Sequence, residues 1–245
     1  MTVGFGVSRT LTVIINLSAG RLLGPHDFGL YNLGVAISGG MLPVLSWGMG
    51  PANARFASAH GSRARDIHST AILLQGILLL FGLALVLALR PALVSWLRIS
   101  GWLFNGALAL GVGQAVFLFV VSVSQVESRF RERAVVEALF AFVFGAVFAA
   151  LFISGTEDYR SILYALSAGY GMVGVGVLFR ERARWAGGFS REWAPRLLGF
   201  GVYWMVDMVS FFMQALFLRL LTKRFLPASD VGIISLTAWP RFPPR

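Results

Sequence analysis

RLLGPHDFGLYNL, residues 21–33, separates two apolar runs, and a variant of it, RFLPASDVGIISL, stands 203 residues later at 224–236. In the first copy Gly24 suits the left-handed cap that ends a helix, Pro25 suits the first turn of the next, and Asp27 lies near that helix's positive N-terminal end. Gly29 leaves room for the entering helix to pack closely on a neighbour. The second copy has Arg224, Leu226, Asp230, Gly232 and Leu236 where the first has Arg21, Leu23, Asp27, Gly29 and Leu33; its proline, Pro227, falls one place earlier. A junction built twice predicts a repeated helix pair. GFGV at 4–7 and again at 199–202 is a weaker echo, because its offset of 195 needs eight residues inserted between the motifs.

Outward from the junction the chain is a series of apolar segments. Of 245 residues, 57% are hydrophobic and 13% charged, far from the soluble average. Six runs are long enough to cross roughly 30 Å of hydrocarbon at about 1.5 Å per residue. They are Phe28 to Met49, Ala71 to Leu89, Trp102 to Val123, Val135 to Ile153, Ile162 to Phe179 and Leu197 to Leu221. A seventh, Val3 to Leu23, is interrupted by Arg9 and Asn16; it lacks the basic flank of a signal peptide and reads as a further span. The expected fold is all-α: a polytopic transmembrane bundle with one six-helix lobe over residues 1–185 and the start of a second repeat lobe over 186–236. Residues 237–245 form an aberrant tail rich in proline and arginine. Pro43 predicts a kink in the second span.

Basic residues divide unevenly between alternate loops. One side carries eleven: Arg55, Arg63, Arg65, Arg129, Arg131, Arg133, Arg180, Arg182, Arg184, Arg191 and Arg196. The other carries six: Arg21, Arg90, Arg98, Arg160, Lys223 and Arg224. The excess predicts that the first side, and with it the N-terminus, is cytoplasmic. The net charge of +10 is therefore read as a topology signal, and nucleic acid is excluded as a partner because no basic surface interleaved with aromatics lies outside the spans. With no cysteine, disulfides and thiol chemistry are excluded. His26, His60 and His68 have no ligand spacing, so no metal is expected, and the last two read as part of a solvated basic loop. GYGMVG, with Gly169, Gly171 and Gly174, fits the dinucleotide fingerprint only by letter. It lies inside an apolar span, where small residues serve helix packing, and no cofactor is expected.

Charged and polar groups within spans cost free energy and mark pathways or partners. Arg9, Thr12, Asn16 and Gly20 share one face of the first span; Tyr203, Asp207, Ser210 and Gln214 share one face of the last. Gln75, Asn105, Gln114 and Gln125 are uncharged and suit interhelical hydrogen bonds.

RLLGPHDFGLYNL, together with GMGPANARFASAH at 48–60 and ESRFRERAVVEAL at 127–139, resembles the polysaccharide biosynthesis and O-antigen flippase branch of the multidrug/oligosaccharidyl-lipid/polysaccharide exporter superfamily. The resemblance implies twelve to fourteen spans in two lobes around a cavity, and transport of a lipid-linked oligosaccharide across the inner membrane by alternating access. In such a transporter the two polar stripes would line the cavity, with Arg9 and Asn16, and Tyr203, Asp207 and Gln214, facing the substrate, Arg9 attracting the pyrophosphate of a polyprenyl-linked glycan and Asp207 carrying a coupling proton or ion; the structural alternatives are that Arg9 snorkels to an interface and that Asp207 only ties neighbouring helices together. Partners implied are the bilayer, that glycan lipid and glycan synthesis or polymerase machinery. No enzymatic activity and no catalytic residue are expected. A drug or metabolite antiporter of the same superfamily is the alternative; a glycan polymerase or ligase is disfavoured because the loop near Arg90 to Gly101 is short and carries no carboxylate. Ending in TAWPRFPPR, the chain is expected to be truncated, frameshifted or partial, with a half-transporter as the second reading.

Overall fold

Hydrocarbon offers no hydrogen bonds, so a spanning segment must satisfy its own backbone, and each apolar run here does so as a helix. The computed structural model describes residues 2–126, 130–155, 158–185 and 187–225. Among them are seven α-helices: α1 (Thr2–Ser46), α2 (Met49–Ala59), α3 (Ala64–Leu97), α4 (Gly101–Val126), α5 (Phe130–Ile153), α6 (Tyr159–Trp185) and α7 (Trp193–Phe225). A 3-10 turn, Gly61–Arg63, precedes α3, and no strand occurs among the described residues. Six stretches are long and apolar enough to cross a membrane: Gly20–Ser46, Gly61–Leu97, Gly101–Ser124, Arg131–Ile153, Tyr159–Ala183 and Trp193–Gln214. The chain is an all-α, multi-pass membrane bundle.

The junction at residues 21–33 behaves as its composition requires, with one difference. α1 is divided at Gly24, whose φ of 71° is positive but whose ψ of 170° is extended rather than left-handed helical. A side chain would be strained there by backbone alone, since a Cβ would meet nothing within 4 Å. Pro25 and Asp27 then occupy the first turn of the second segment, Gly29 is buried within it, and Asn32 Nδ2 donates to the Phe28 carbonyl at 2.9 Å. Of the second copy only Arg224 and Phe225, at the end of α7, are described; Pro227, Asp230 and Gly232, and the tail, lie outside the described residues.

Pro43 does not interrupt α1, in which Gly24 alone is non-helical. The bend comes later, where Trp47 (φ 47°) and Gly48 (φ 61°) both take left-handed backbone and redirect the chain into α2. Gly48 is required twice over: by its φ, and because a Cβ would lie 2.5 Å from the Gly201 carbonyl oxygen of α7. At the opposite end a Schellman closure joins α3 to α4. Arg98 is left-handed, its N–H donates to Ser95 O and that of Ile99 to Val94 O, each at 3.3 Å, and Ser100 Oγ caps α4 by accepting from Leu103 N at 3.2 Å.

Two apolar clusters hold the bundle. The larger joins the second segment of α1 to α4, α5 and α6, with Leu45, Phe104, Leu110, Phe144 and Ile162 fully enclosed. The smaller gathers Met49, Ile67, Val120, Trp193 and Leu197 where α2 meets α3, α4 and α7. The glycines Gly169 and Gly174 are packing positions: a Cβ at the first would press on Phe140 and Phe144 at 3.2 Å, and at the second on Val116 and Phe117 at 3.0–3.1 Å.

Candidate functional site: polar groups within the spans

Three of the four uncharged polar residues singled out in the spans bridge helices. Ser38 Oγ donates to Gln114 Oε1 at 3.1 Å, tying α1 to α4; Gln75 Nε2 donates to the Leu45 carbonyl at 3.1 Å, tying α3 to α1. Arg90 Nε donates to Asn105 Oδ1 at 3.2 Å, tying α3 to α4. The Gln125 side chain lies outside the described set. These bonds do structural work; the first two, inside the spans, are each worth about 0.6 kcal/mol in a bilayer.

The basic end holds a polar group that sequence reading assigned to solvent. His68 is 2% exposed, not part of a solvated loop, because α2 folds back over the start of α3 and sets Asn53 Oδ1 2.9 Å from His68 Nδ1. Asn53 is fully buried, and its Nδ2 has no partner among the described residues; the same is true of Gln75 Oε1. Beside them Ser69 Oγ donates to Gly187 O at 2.8 Å, and Ser190 N donates to Thr70 Oγ1 at 3.0 Å, so the α6–α7 connection is stitched onto α3. Nearby arginines are engaged within the chain. Arg55 lies 4.6 Å from the Phe200 ring, Arg196 4.9 Å from Trp193, and Arg63 pairs with Glu192 at 3.1 Å. These contacts draw residues 55–65 and 187–196 to one end of the bundle. At the other end Ser100 meets Tyr159 at 3.4 Å, and Arg160 lies 5.4 Å from the Trp102 ring. The loop holding Arg55, Arg63 and Arg65 thus shares an end with the α6–α7 connection, which carries Arg191 and Arg196, while the α3–α4 and α5–α6 connections meet at the other.

On α7 the sequence stripe faces away from the packed bundle. Phe200, Trp204, Met208 and Phe212 turn inward, Trp204 against Gly48 and Phe212 against Gly39. Tyr203 is 72% exposed, and Asp207, Ser210 and Gln214 are exposed on the other side; Ser210 Oγ donates only to its own helix, at Val206 O. Arg9 and Asn16 lie on the first segment of α1, and their side chains are outside the described set. Among the described residues no group of three or more metal-ligating side chains is present. The arrangement therefore offers a carboxylate flanked by a phenol and an amide along one face of a spanning helix, suited to binding a proton, a cation or hydroxyl-rich groups.

Comparison with family models, with curated proteins and with solved structures finds no match to this chain.

Proposed function

We propose that this bundle is a wall of a membrane transporter, a flippase that moves a polyprenyl-pyrophosphate-linked glycan across the cytoplasmic (inner) membrane by alternating access, for cell-surface polysaccharide synthesis. The observation that carries the reading is the exposed stripe of Tyr203, Asp207 and Gln214 on a span. A carboxylate at the centre of a spanning helix costs about 2.5–3.5 kcal/mol on insertion scales unless it faces water, a partner or a substrate path. In this reading Asp207 carries the coupling proton or ion, Tyr203 and Gln214 contact sugar hydroxyls, and Arg9 and Asn16 serve the pyrophosphate from the first segment of α1. The excess of arginines at the end holding Arg55, Arg63, Arg65 and Arg191 supports a cytoplasmic face there and an N-terminus inside. Resemblance of the junction and of residues 48–60 to glycan-lipid exporters supports the substrate class. The chemistry is translocation with no covalent step.

The test is complementation of a strain lacking the gene. The wild-type gene restores surface glycan, whereas Asp207→Leu leaves lipid-linked oligosaccharide in the cytoplasmic leaflet. Unchanged surface glycan with lost resistance to cationic drugs makes the protein an antiporter instead. Full activity of Asp207→Leu removes α7 from the path.

A further inference from the structure

A second feature lies on a different flank, between α3, α4 and α6. α4 and α6 pack closely, with a Cβ at Gly113 reaching Ser167 O at 2.9 Å, but α3 meets both only lightly. The gap is a groove of about 540 Å³, lined by Leu83 and Leu87 of α3, Val112 and Val116 of α4, and Gly171 and Val175 of α6. Its remaining lining is apolar apart from Asn105 and Ser167. From Asn105 to Val116 it runs about 16 Å along the helix axis at 1.5 Å per residue. Leu87 is 48% exposed and Val175 43%, so the groove opens sideways, toward the hydrocarbon.

One end of the groove is positive. Leu83, Leu87 and Arg90 follow one another at spacings of four and three, so Arg90 continues the stripe of α3 that lines the groove. Its Nε is held by Asn105, and its Nη2 lies 3.1 Å from where a Gly101 Cβ would be, over the first residue of α4. A guanidinium at a helix N-terminus is a like-charge contact, and no carboxylate pairs with Arg90 among the described residues. Trp96 and Trp102, 69% and 59% exposed, mark the same level as the interfacial belt of the bilayer. A cation at headgroup depth above an apolar slot matches one kind of molecule in both charge and polarity.

We infer that the groove between α3, α4 and α6 binds one acyl chain of an anionic bilayer phospholipid, with the lipid phosphate on Arg90. This site is separate from the stripe on α7 and does not depend on the transport reading. Gly171 is the position that keeps the slot open, since a Cβ there meets nothing within 4 Å and a larger side chain enters empty space without displacing the backbone.

The experiment reconstitutes the full chain in vesicles of phosphatidylethanolamine and phosphatidylglycerol carrying a trace of phosphatidylglycerol with a chain-terminal diazirine. After irradiation, adducts are mapped by peptide mass spectrometry. Adducts concentrate on α3, α4 and α6, and Gly171→Leu lowers them at least about five-fold, equivalent to about 1 kcal/mol of lost affinity. Arg90→Gln removes the preference for the phosphatidylglycerol probe over the matching phosphatidylcholine probe while chain adducts remain. Should Gly171→Leu fail to accumulate, Val175→Phe on the exposed rim replaces it. Adducts spread evenly over the bundle, including α5 near the exposed Phe142, and unmoved by either groove variant, overturn the site. An unchanged lipid preference in Arg90→Gln overturns its anionic half.

Discussion

α3 is the most apolar of the six spans, with a mean hydropathy of 2.8, yet only 17% of its most apolar window is buried; the second segment of α1, at 1.4, has 72% inside. In water that order would be unstable. In a bilayer it is expected, because lipid is as apolar as leucine and helices are joined by close packing and polar contacts instead. α1 supplies these through Ser38, Gly34 and Gly39, whereas α3 spends its leucines on lipid. α7 fits neither pattern: at 1.3 it is as polar as α1, and at 11% buried it is as bare as α3. A helix that is both polar and uncovered by its own bundle points to something other than lipid on its open face, and this is the structural reason to look for transport along Asp207.

The contrast can be broken or sharpened by substitution. The largest effect is expected where α7 touches the α1–α2 corner. Gly201→Leu would drive its Cβ into Met49 and the Trp47 carbonyl, so the folded protein is lost, as read by gel filtration in detergent. Gly199→Leu, two residues away in open space, leaves the profile unchanged. If both behave alike, α7 is not seated as described. Next come paired truncations on α4 and α3. Phe104→Ala, in the core, costs about 3–5 kcal/mol in reversible denaturation, and Leu80→Ala, 68% exposed, less than about 0.5 kcal/mol. Equal costs would mean that α3 is covered by protein. Smaller again is Asn53→Ala, which removes the oxygen facing buried His68 and costs about 1–3 kcal/mol; Asn53→Asp distinguishes lost bonding from lost volume. Smallest is Arg63→Ala, whose pair with Glu192 is half exposed and worth less than about 1 kcal/mol by double-mutant cycle.

Most of the bundle was legible in hydropathy. The six apolar runs are six helices, since a window average responds to the lipid environment that every span shares. What it could not show arises from contacts between segments. Arg90 and Pro91 mark an apparent end for the run from Ala71, but α3 continues to Leu97 because Arg90 finds Asn105 across a gap of fifteen residues. The span expected to reach Met49 stops at Ser46, and most of α2 falls in residues 51–69, an amphipathic stretch with its charges in a loop, whose burial depends on Ser122, Phe119 and Trp193 far along the chain. His68 was misplaced for the same reason. The stripe on α7 was visible as spacing alone; that it turns outward follows from Trp204 and Phe212 meeting α1 and its corner, which spacing does not encode. The Gly201 half of the GFGV echo is a steric requirement of that corner.

The corner at Arg98–Ser100 has a mechanical consequence. It is a fulcrum: α3 is fixed to α4 there, and its 34 residues extend about 51 Å to the far end at 1.5 Å each. Treated as a rigid rod, one degree of swing displaces that end by about 0.9 Å, more than separates the 2.9 Å Asn53–His68 contact from a broken hydrogen bond. The contacts of Gln75, Ser69 and Thr70 with α1 and the α6–α7 connection are what hold that long arm in place against such a swing.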